Sequence, residues 1–332
     1  MAVVGVGTFG RNHARVYHQL AQQGEPVRLV GVVDHDLERA DVIAREFGCR
    51  SFGSIDQLIT THSEVQAASV AVPTVHHAAV ARSLMESGVD VLIEKPVTPS
   101  LAEADELAQL AAKLKRIVQV GHLERYNPAV RATVSHITRP MFFEVHRLSV
   151  FTPRSLDVDV VLDLMIHDLD VVLSFVNSPV KEIRAVGLPI LSGKVDIANV
   201  RMEFESGCVA NFTASRVSTE RVRKLRFFQP KQYVSIDYGR QDVVIFSVAD
   251  DGKVAGTPSA NPRIGMMKPP VVAEEPLQAE VRAFLNSVRT RSKADVSLEE
   301  GRRALAVALD ITKAIQEHGQ KAGLDQLVAH PQ

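Results

Sequence analysis

The chain opens Met1-Ala-Val-Val-Gly-Val-Gly-Thr-Phe-Gly10, and the reading of this stretch decides the fold. A short apolar run breaks into glycines spaced Gly-x-Gly-x-x-Gly, and a helical pattern follows over residues 9–22. With a strand before it and a helix after it, this spacing is the fingerprint of a dinucleotide-binding turn. Gly5 permits the tight turn, Gly7 lets a pyrophosphate approach the backbone, and Gly10 lets helix and strand pack closely. The helix start then offers free amide donors and a partial positive charge to the phosphates.

Outward from the turn, strand and helix patterns alternate. A second strand over 27–33 ends in Asp34, near the distance from the glycines at which an acid holds ribose hydroxyls. An aspartate there repels a 2'-phosphate, so NAD is favoured over NADP, although Arg39 lies on the next helix. Asp34 could instead cap the helix over 37–47, a task open equally to Asp36. Apolar strands follow at 67–72, 90–93 and 117–121, separated by Pro73-Thr-Val-His-His77 with a helix through 84, and by Glu94-Lys95-Pro96 with a helix over 100–114. Such alternation predicts a doubly wound parallel sheet, whose ligands sit beyond the carboxyl ends of its strands. Asp34, Thr74, His77, Lys95 and His122 fall at or just past those ends. A lone lysine past a strand commonly just reaches solvent, but Pro96 restricts the backbone of Lys95 to extended conformations and so aims its side chain.

The bulk numbers exclude several function classes. A chain of 332 residues, 45% hydrophobic and 23% charged, has room for two domains and an ordinary soluble core. A net charge of -1 argues against nucleic-acid binding, because such proteins carry a basic excess. No apolar run approaches the roughly 20 residues that span a bilayer, so no membrane partner is expected. Two cysteines, Cys49 and Cys208, are too few for a disulfide framework, and a cytoplasmic location fits.

After residue 121 the alternation stops, which sets the expected domains at 1–121 and 122–332. The second part reads as a short helix at 128–134, a strand at 141–150, a helix at 159–175 and then a series of strands from 180 to 246. Turn signals between these strands predict antiparallel connections, the stretch 250–270 reads as a loop, and helices at 277–288 and 298–317 close the chain. Within the first long helix of this part, Asp163-Leu-Met-Ile-His167-Asp168-Leu-Asp170 is unusually polar for an otherwise greasy segment. Asp163 and His167, four apart, share one face of a helix, so a carboxylate–imidazole dyad is sterically possible. A metal site is not expected, since His76, His77, His122 and His167 match no zinc spacing.

Taken in order, Gly5 to His13 (GVGTFGRNH), Val72 to His77 (VPTVHH), Glu94-Lys95-Pro96 and Asp163 to His167 (DLMIH) resemble the glucose-fructose oxidoreductase, inositol dehydrogenase and MocA (Gfo/Idh/MocA) family over nearly the whole chain. The resemblance implies an α/β fold: an N-terminal Rossmann domain and a C-terminal α+β domain with an open, mostly antiparallel sheet, through which many members form homodimers or homotetramers. It implies NAD(P)-dependent oxidation of a sugar or cyclitol hydroxyl. The cofactor would be held by Gly5, Gly7, Thr8, Phe9, Gly10, Asp34, Pro73, Thr74, His77, Glu94 and Lys95. Lys95, Asp163 and His167 would be catalytic, His167 as base, Asp163 orienting it and Lys95 placing the substrate oxygen. The strand before the glycines begins at Ala2, shorter than is usual in the family, although the glycine motif is complete.

Further motifs, Gly121-His-Leu-Glu-Arg-Tyr-Asn-Pro128, Arg154, Ala198-Asn199 and Thr213-Ala-Ser-Arg216, resemble the branch that oxidises the 3-hydroxyl of UDP-N-acetylglucosamine to a ketone on the route to 2,3-diamino sugars of lipid A. A partner aminotransferase then consumes the ketone. Tyr126, Asn127, Arg154 and Arg216, with Lys95 and His167, are the residues this implies for substrate, arginine suiting a diphosphate through its planar fork. A dehydrogenase of another nucleotide sugar, sugar or inositol is the nearest alternative; a silent NAD-binding sensor or scaffold is the alternative of another class.

Overall fold

The apolar run before the first glycine forms β1 (Ala2–Val4), all three residues of which are buried. A computed structural model describes residues 1–152, 158–248 and 263–323. After β1 come α1 (Thr8–Gln22), β2 (Gly31–Val33), α2 (Leu37–Phe47), β3 (Arg50–Phe52), α3 (Ile55–Thr61), β4 (Ala67–Val70), α4 (His77–Glu86), β5 (Asp90–Glu94), α5 (Leu101–Leu114) and β6 (Val118–Gly121). The six strands pair in parallel in the order β3-β2-β1-β4-β5-β6, the doubly wound arrangement whose order reverses between β1 and β4. Asp36 rather than Asp34 caps α2, accepting a hydrogen bond from Arg39 N at 3.0 Å. The β3–α3 unit was not anticipated, because β3 is short and partly exposed. Its signal was nonetheless present as Ser54-Ile-Asp-Gln57: Gln57 N donates to Ser54 Oγ and Gly53 N to Gln57 Oε1, a capping box.

The second part begins with α6 (Pro128–Thr133) and β7 (Phe142–Val150), followed by a π-helical turn over Val161–Met165 that runs into α7 (Ile166–Phe175). Strands β8 (Val180–Leu188), β9 (Ile197–Phe204), β10 (Val209–Ser218), β11 (Val222–Gln229), β12 (Gln232–Asp237), β13 (Asp242–Val248) and β14 (Ile264–Met267) complete an eight-stranded sheet. Its order is β14-β13-β12-β11-β7-β10-β9-β8, antiparallel throughout except for the β7–β10 pair. Strand β14 lies where sequence suggested loop; most of that stretch falls outside the described residues. Alternation gives the sheet one buried face, carrying Phe143, Val145, Val200, Phe212, Leu225, Phe227 and Ile236.

Helices α8 (Pro276–Thr290) and α9 (Leu298–Lys321) end the described chain. By contact the chain divides into a first compact unit, Met1–Tyr126 with Glu274–Leu305, and a second, Asn127–Ala273 with Ala306–Gln332. The first unit therefore takes back a late segment that the division at residue 121 leaves in the second part. The reason is α8, whose Val281, Phe284 and Leu285 are buried in one cluster with Val3, Val16, Tyr17 and Leu20.

Candidate active site

At the carboxyl ends of β1 to β4, where the strand order reverses, the first unit holds a cleft of ≈ 680 Å³. Gly5, with φ +84°, makes the turn under it, and a Cβ there would lie 2.7 Å from the backbone of Ala71 and Val72. A Cβ on Gly10 would lie 1.7 Å from Gly5 O, so only glycine lets α1 cross so close to the turn. Gly7 faces open space and caps α1 without any side-chain hydrogen bond, leaving first-turn amides for a ligand. At the end of β2 the buried Asp34 accepts hydrogen bonds from Val6 N at 2.9 Å, Asp36 N at 3.0 Å and Arg39 Nη2 at 3.3 Å. An anion-ready helix start and a fixed carboxylate lining one cleft suit the pyrophosphate and ribose of a dinucleotide.

Among the residues expected at the cofactor, Gly5, Gly7, Thr8, Phe9, Asp34 and Pro73 line this cleft; Gly10, Thr74, His77, Glu94 and Lys95 do not. His35, Arg39, Gly53, Ser54, Ile55 and His76 also line it and were missed as site residues. Those from the β3–α3 unit could have been found through its capping box.

Lys95 follows β5 and is half-buried, in a cis peptide with Pro96. His77 is buried, its Nδ1 2.9 Å from Pro96 O and its Nε2 2.9 Å from Val72 O, so the ring ties the ends of β4 and β5 together. Burial lowers its pKa despite the raising effect of those carbonyls and of the Glu94 charge. Glu94, the last residue of β5, lies with Oε1 2.8 Å from His13 Nε2. Burial pushes the Glu94 carboxyl up, yet the His13 hydrogen bond and the charges of His13, Lys95 and His77 together hold it below its ordinary value.

In the second unit Asp163 sits in the π turn and His167 in the first turn of α7, both half-buried while Met165, Ile166, Asp168, Leu169 and Asp170 are buried. Single π turns recur at functional sites because they re-aim side chains within a helix, and neither sequence periodicity nor composition revealed this one. The helix is fixed by the next residue: Asp168 accepts a bidentate ion pair from Arg147 of β7, at 2.6 and 2.9 Å, and the Arg147 guanidinium stacks 5.2 Å from the Tyr238 ring. Phe175 at its far end packs edge-on against Phe227, 5.9 Å between centroids.

The residues expected at the substrate have mixed placements. Tyr126 and Asn127 are buried; Asn127 caps α6 through Oδ1 and donates from Nδ2 to Tyr238 O at 3.1 Å. Arg216 is also buried, donating to Val158 O and lying 3.7 Å from the Asp196 carboxylate. Arg154 lies outside the described residues.

A doubly wound sheet with a glycine turn, an acidic β2 end and a cleft at its switch point defines a dinucleotide-binding protein, and comparison with known proteins narrows the class. Residues 1–122 match the model of an oxidoreductase family with an NAD-binding Rossmann fold, and residues 112–232 match that of the GFO/IDH/MocA C-terminal domain. The chain belongs to the Gfo/Idh/MocA family of oxidoreductases. It is 37% identical over 320 residues, 96% of this chain and 98% of the other, to UDP-N-acetylglucosamine 3-dehydrogenase of Acidithiobacillus ferrooxidans. A solved structure of that enzyme, GnnA, superposes with a TM-score of 0.86 over 95% of this chain and 97% of the other. A scyllo-inositol 2-dehydrogenase (NAD(+)) of Bacillus subtilis is 26% identical over 65% of this chain and 67% of its own.

Proposed function

We propose that the protein oxidises the 3-hydroxyl of UDP-N-acetylglucosamine to the 3-keto sugar with NAD as acceptor. The observation that carries this reading is the 37% identity to an enzyme named for that reaction, sustained over 96% of the chain.

Oxidising a secondary alcohol removes a hydride from carbon and a proton from oxygen. When bound, a nicotinamide supplies the hydride acceptor. Gly5, Gly7, Thr8 and Asp34 hold and orient the dinucleotide, with Asp34 accepting from its ribose. His167 takes the hydroxyl proton; Asp163 orients its ring and stabilises the imidazolium that forms. Lys95 donates to the substrate oxygen and fixes its approach. NAD is the cofactor in this reading because Asp34 is anionic, buried and held by backbone amides, which leaves a 2'-phosphate facing a fixed like charge. Arg154 carries the diphosphate, and a pathway aminotransferase removes the ketone. Cys49 and Cys208, both unbridged, suit the cytoplasm.

Association of copies through the eight-stranded sheet forms part of the proposal. On the face opposite the core, cross-strand neighbours Phe142, Phe228, Tyr233 and Phe246 make an aromatic row with centroid spacings of 5.7, 4.9 and 5.8 Å. Such a row on an outward face is a feature that a second copy would cover.

The test is to incubate purified protein with NAD and a panel of UDP-sugars and cyclitols, with an aminotransferase or ketone trap present, and to follow absorbance of the reduced nicotinamide. Reduction with UDP-N-acetylglucosamine, lost in Lys95→Ala and His167→Ala, is the expected result. Reduction only with inositols, or binding of NAD without reduction by any sugar, would overturn the substrate assignment.

A further inference from the structure

The family resemblance puts His77 at the cofactor, yet the ring does not line the cleft. His77 opens α4 and is 1% exposed. Its two nitrogens each lie 2.9 Å from a carbonyl oxygen of a separate segment, Nε2 from Val72 O past β4 and Nδ1 from Pro96 O past β5. The β4–β5 ladder ends with Val70 opposite Ile93, so the ring joins the two segments beyond the last rung of the sheet. A carbonyl only accepts; the neutral ring therefore donates its single N–H to one of the two, and the imidazolium donates to both. The Val72 end of this bridge leads into the cofactor cleft, whose lining includes Gly5, Ala71, Val72 and Pro73. A Cβ on Gly5 would fall 2.7 Å from both Val72 N and Ala71 C, so the glycine turn packs directly on this backbone. Gly5 N donates to Val33 O and Ala71 N to Val4 O, each at 2.8 Å. Val72 thus packs through its amide nitrogen against the glycine turn and meets the His77 ring through its carbonyl oxygen.

We propose that His77 is a positioning residue for the dinucleotide: seated between Val72 O and Pro96 O, it holds the Val72 backbone against Gly5 and so keeps the glycine turn in the shape that receives the pyrophosphate. It does this without touching the cofactor. A site already ordered in the free protein binds more tightly than one that must be ordered by its ligand. The inference rests on the dinucleotide cleft described above and not on the choice of sugar.

The experiment compares wild type, His77→Gln, whose amide can donate to one carbonyl but not span both, and His77→Leu, which fills the space without a donor. NADH affinity is measured by fluorescence titration. Hydrogen exchange of the ligand-free protein is followed by mass spectrometry in the peptides that carry the Gly5 and Ala71 amides and in peptides elsewhere in the first unit. NADH should bind roughly three- to tenfold more weakly to His77→Leu, the size of one hydrogen bond, with His77→Gln between it and wild type. The Gly5 and Ala71 peptides should exchange faster in the same order, while peptides of α5 and β6 keep wild-type rates. Wild-type NADH affinity in His77→Leu with native circular dichroism overturns the proposal. Weaker binding with wild-type exchange at Gly5 and Ala71 also overturns it, since the ring would then act on the cofactor directly; so does exchange faster by one factor throughout the unit, which is a loss of stability alone. If His77→Leu does not fold, wild-type affinity in His77→Gln overturns it equally. Neither readout involves a sugar, so the sugar panel can fail while this proposal stands, and the reverse.

Discussion

At the residue scale, the proposed preference for NAD rests on Asp34. Its carboxylate already accepts from two backbone amides and from Arg39, so its position is set before any ligand arrives. Asp34→Ser should weaken NAD binding by about 1–3 kcal/mol, the range for hydrogen bonds to a charged group, and weaken NADP binding less or strengthen it. Removing the acid takes away the repulsion of a 2'-phosphate and releases Arg39 to face one. Fluorescence titration with both reduced cofactors measures the ratio; an unchanged preference for NAD would sink the assignment of Asp34. Gly5, Gly7 and Asp34 were legible because each follows a strand where this topology puts its ligands, and all three line the cleft; Lys95, read on the same ground, does not line it. Asn127 and Arg216 were not legible in the same way, since the polar atoms that could meet a substrate also satisfy Tyr238 O and Val158 O, and no pattern in the chain announces such partners.

At the element scale, α7 is held by groups that its own sequence does not contain. Arg147 and Asp168 are 5% and 2% exposed, so breaking the pair strands a buried charge. Asp168→Ala should cost about 3–5 kcal/mol in urea unfolding, while Arg147→Met combined with Asp168→Leu should cost much less than the sum of the single changes. Additive losses would show that the pair is not coupled. The start of α9 offers a pH test. Glu300 accepts from Ser297 N and Oγ at 3.0 and 2.9 Å and from Arg125 Nη2 at 3.0 Å. Burial raises its pKa, but these donors and the Arg125 charge outweigh burial and hold it below the ordinary 4.5. A depressed folded value means that its stabilisation is fully present above 4.5 and is lost as pH falls through the lower folded value. Glu300→Gln should therefore lower stability by about 1–2 kcal/mol at pH 7 and by little at the acid end of that fall. Urea midpoints at pH 7 and in the acid range measure the difference; equal losses at both would count against it.

For the whole molecule, the proposed association of copies through the open sheet has a direct test. Tyr233→Glu in the aromatic row places a charge between Phe228 and Phe246, 4.9 and 5.8 Å away on either side. Light scattering after size exclusion should show a smaller species than wild type, with monomer circular dichroism unchanged. The same mass for both proteins would rule out this face as the interface. The first unit is also not contiguous in sequence: α8 is buried in the cluster built around α1, and Gln119 Nε2 of β6 reaches Glu280 O at 3.2 Å across 161 positions. A division read along the chain at residue 121 has no means of registering that return.

What the sequence determined by itself is local. Strand and helix alternation, the glycine turn and the acidic end of β2 follow from periodicity and from residue chemistry within a few positions, because backbone sterics and burial act there directly. Tertiary structure alone decided the rest: which late helix joins the first unit, that a π turn carries Asp163, that Arg147 anchors Asp168, and that His13 meets Glu94 across 81 positions. Those choices depend on how distant buried polar groups find hydrogen-bond partners, and that satisfaction is a property of the packed chain that no stretch of sequence contains.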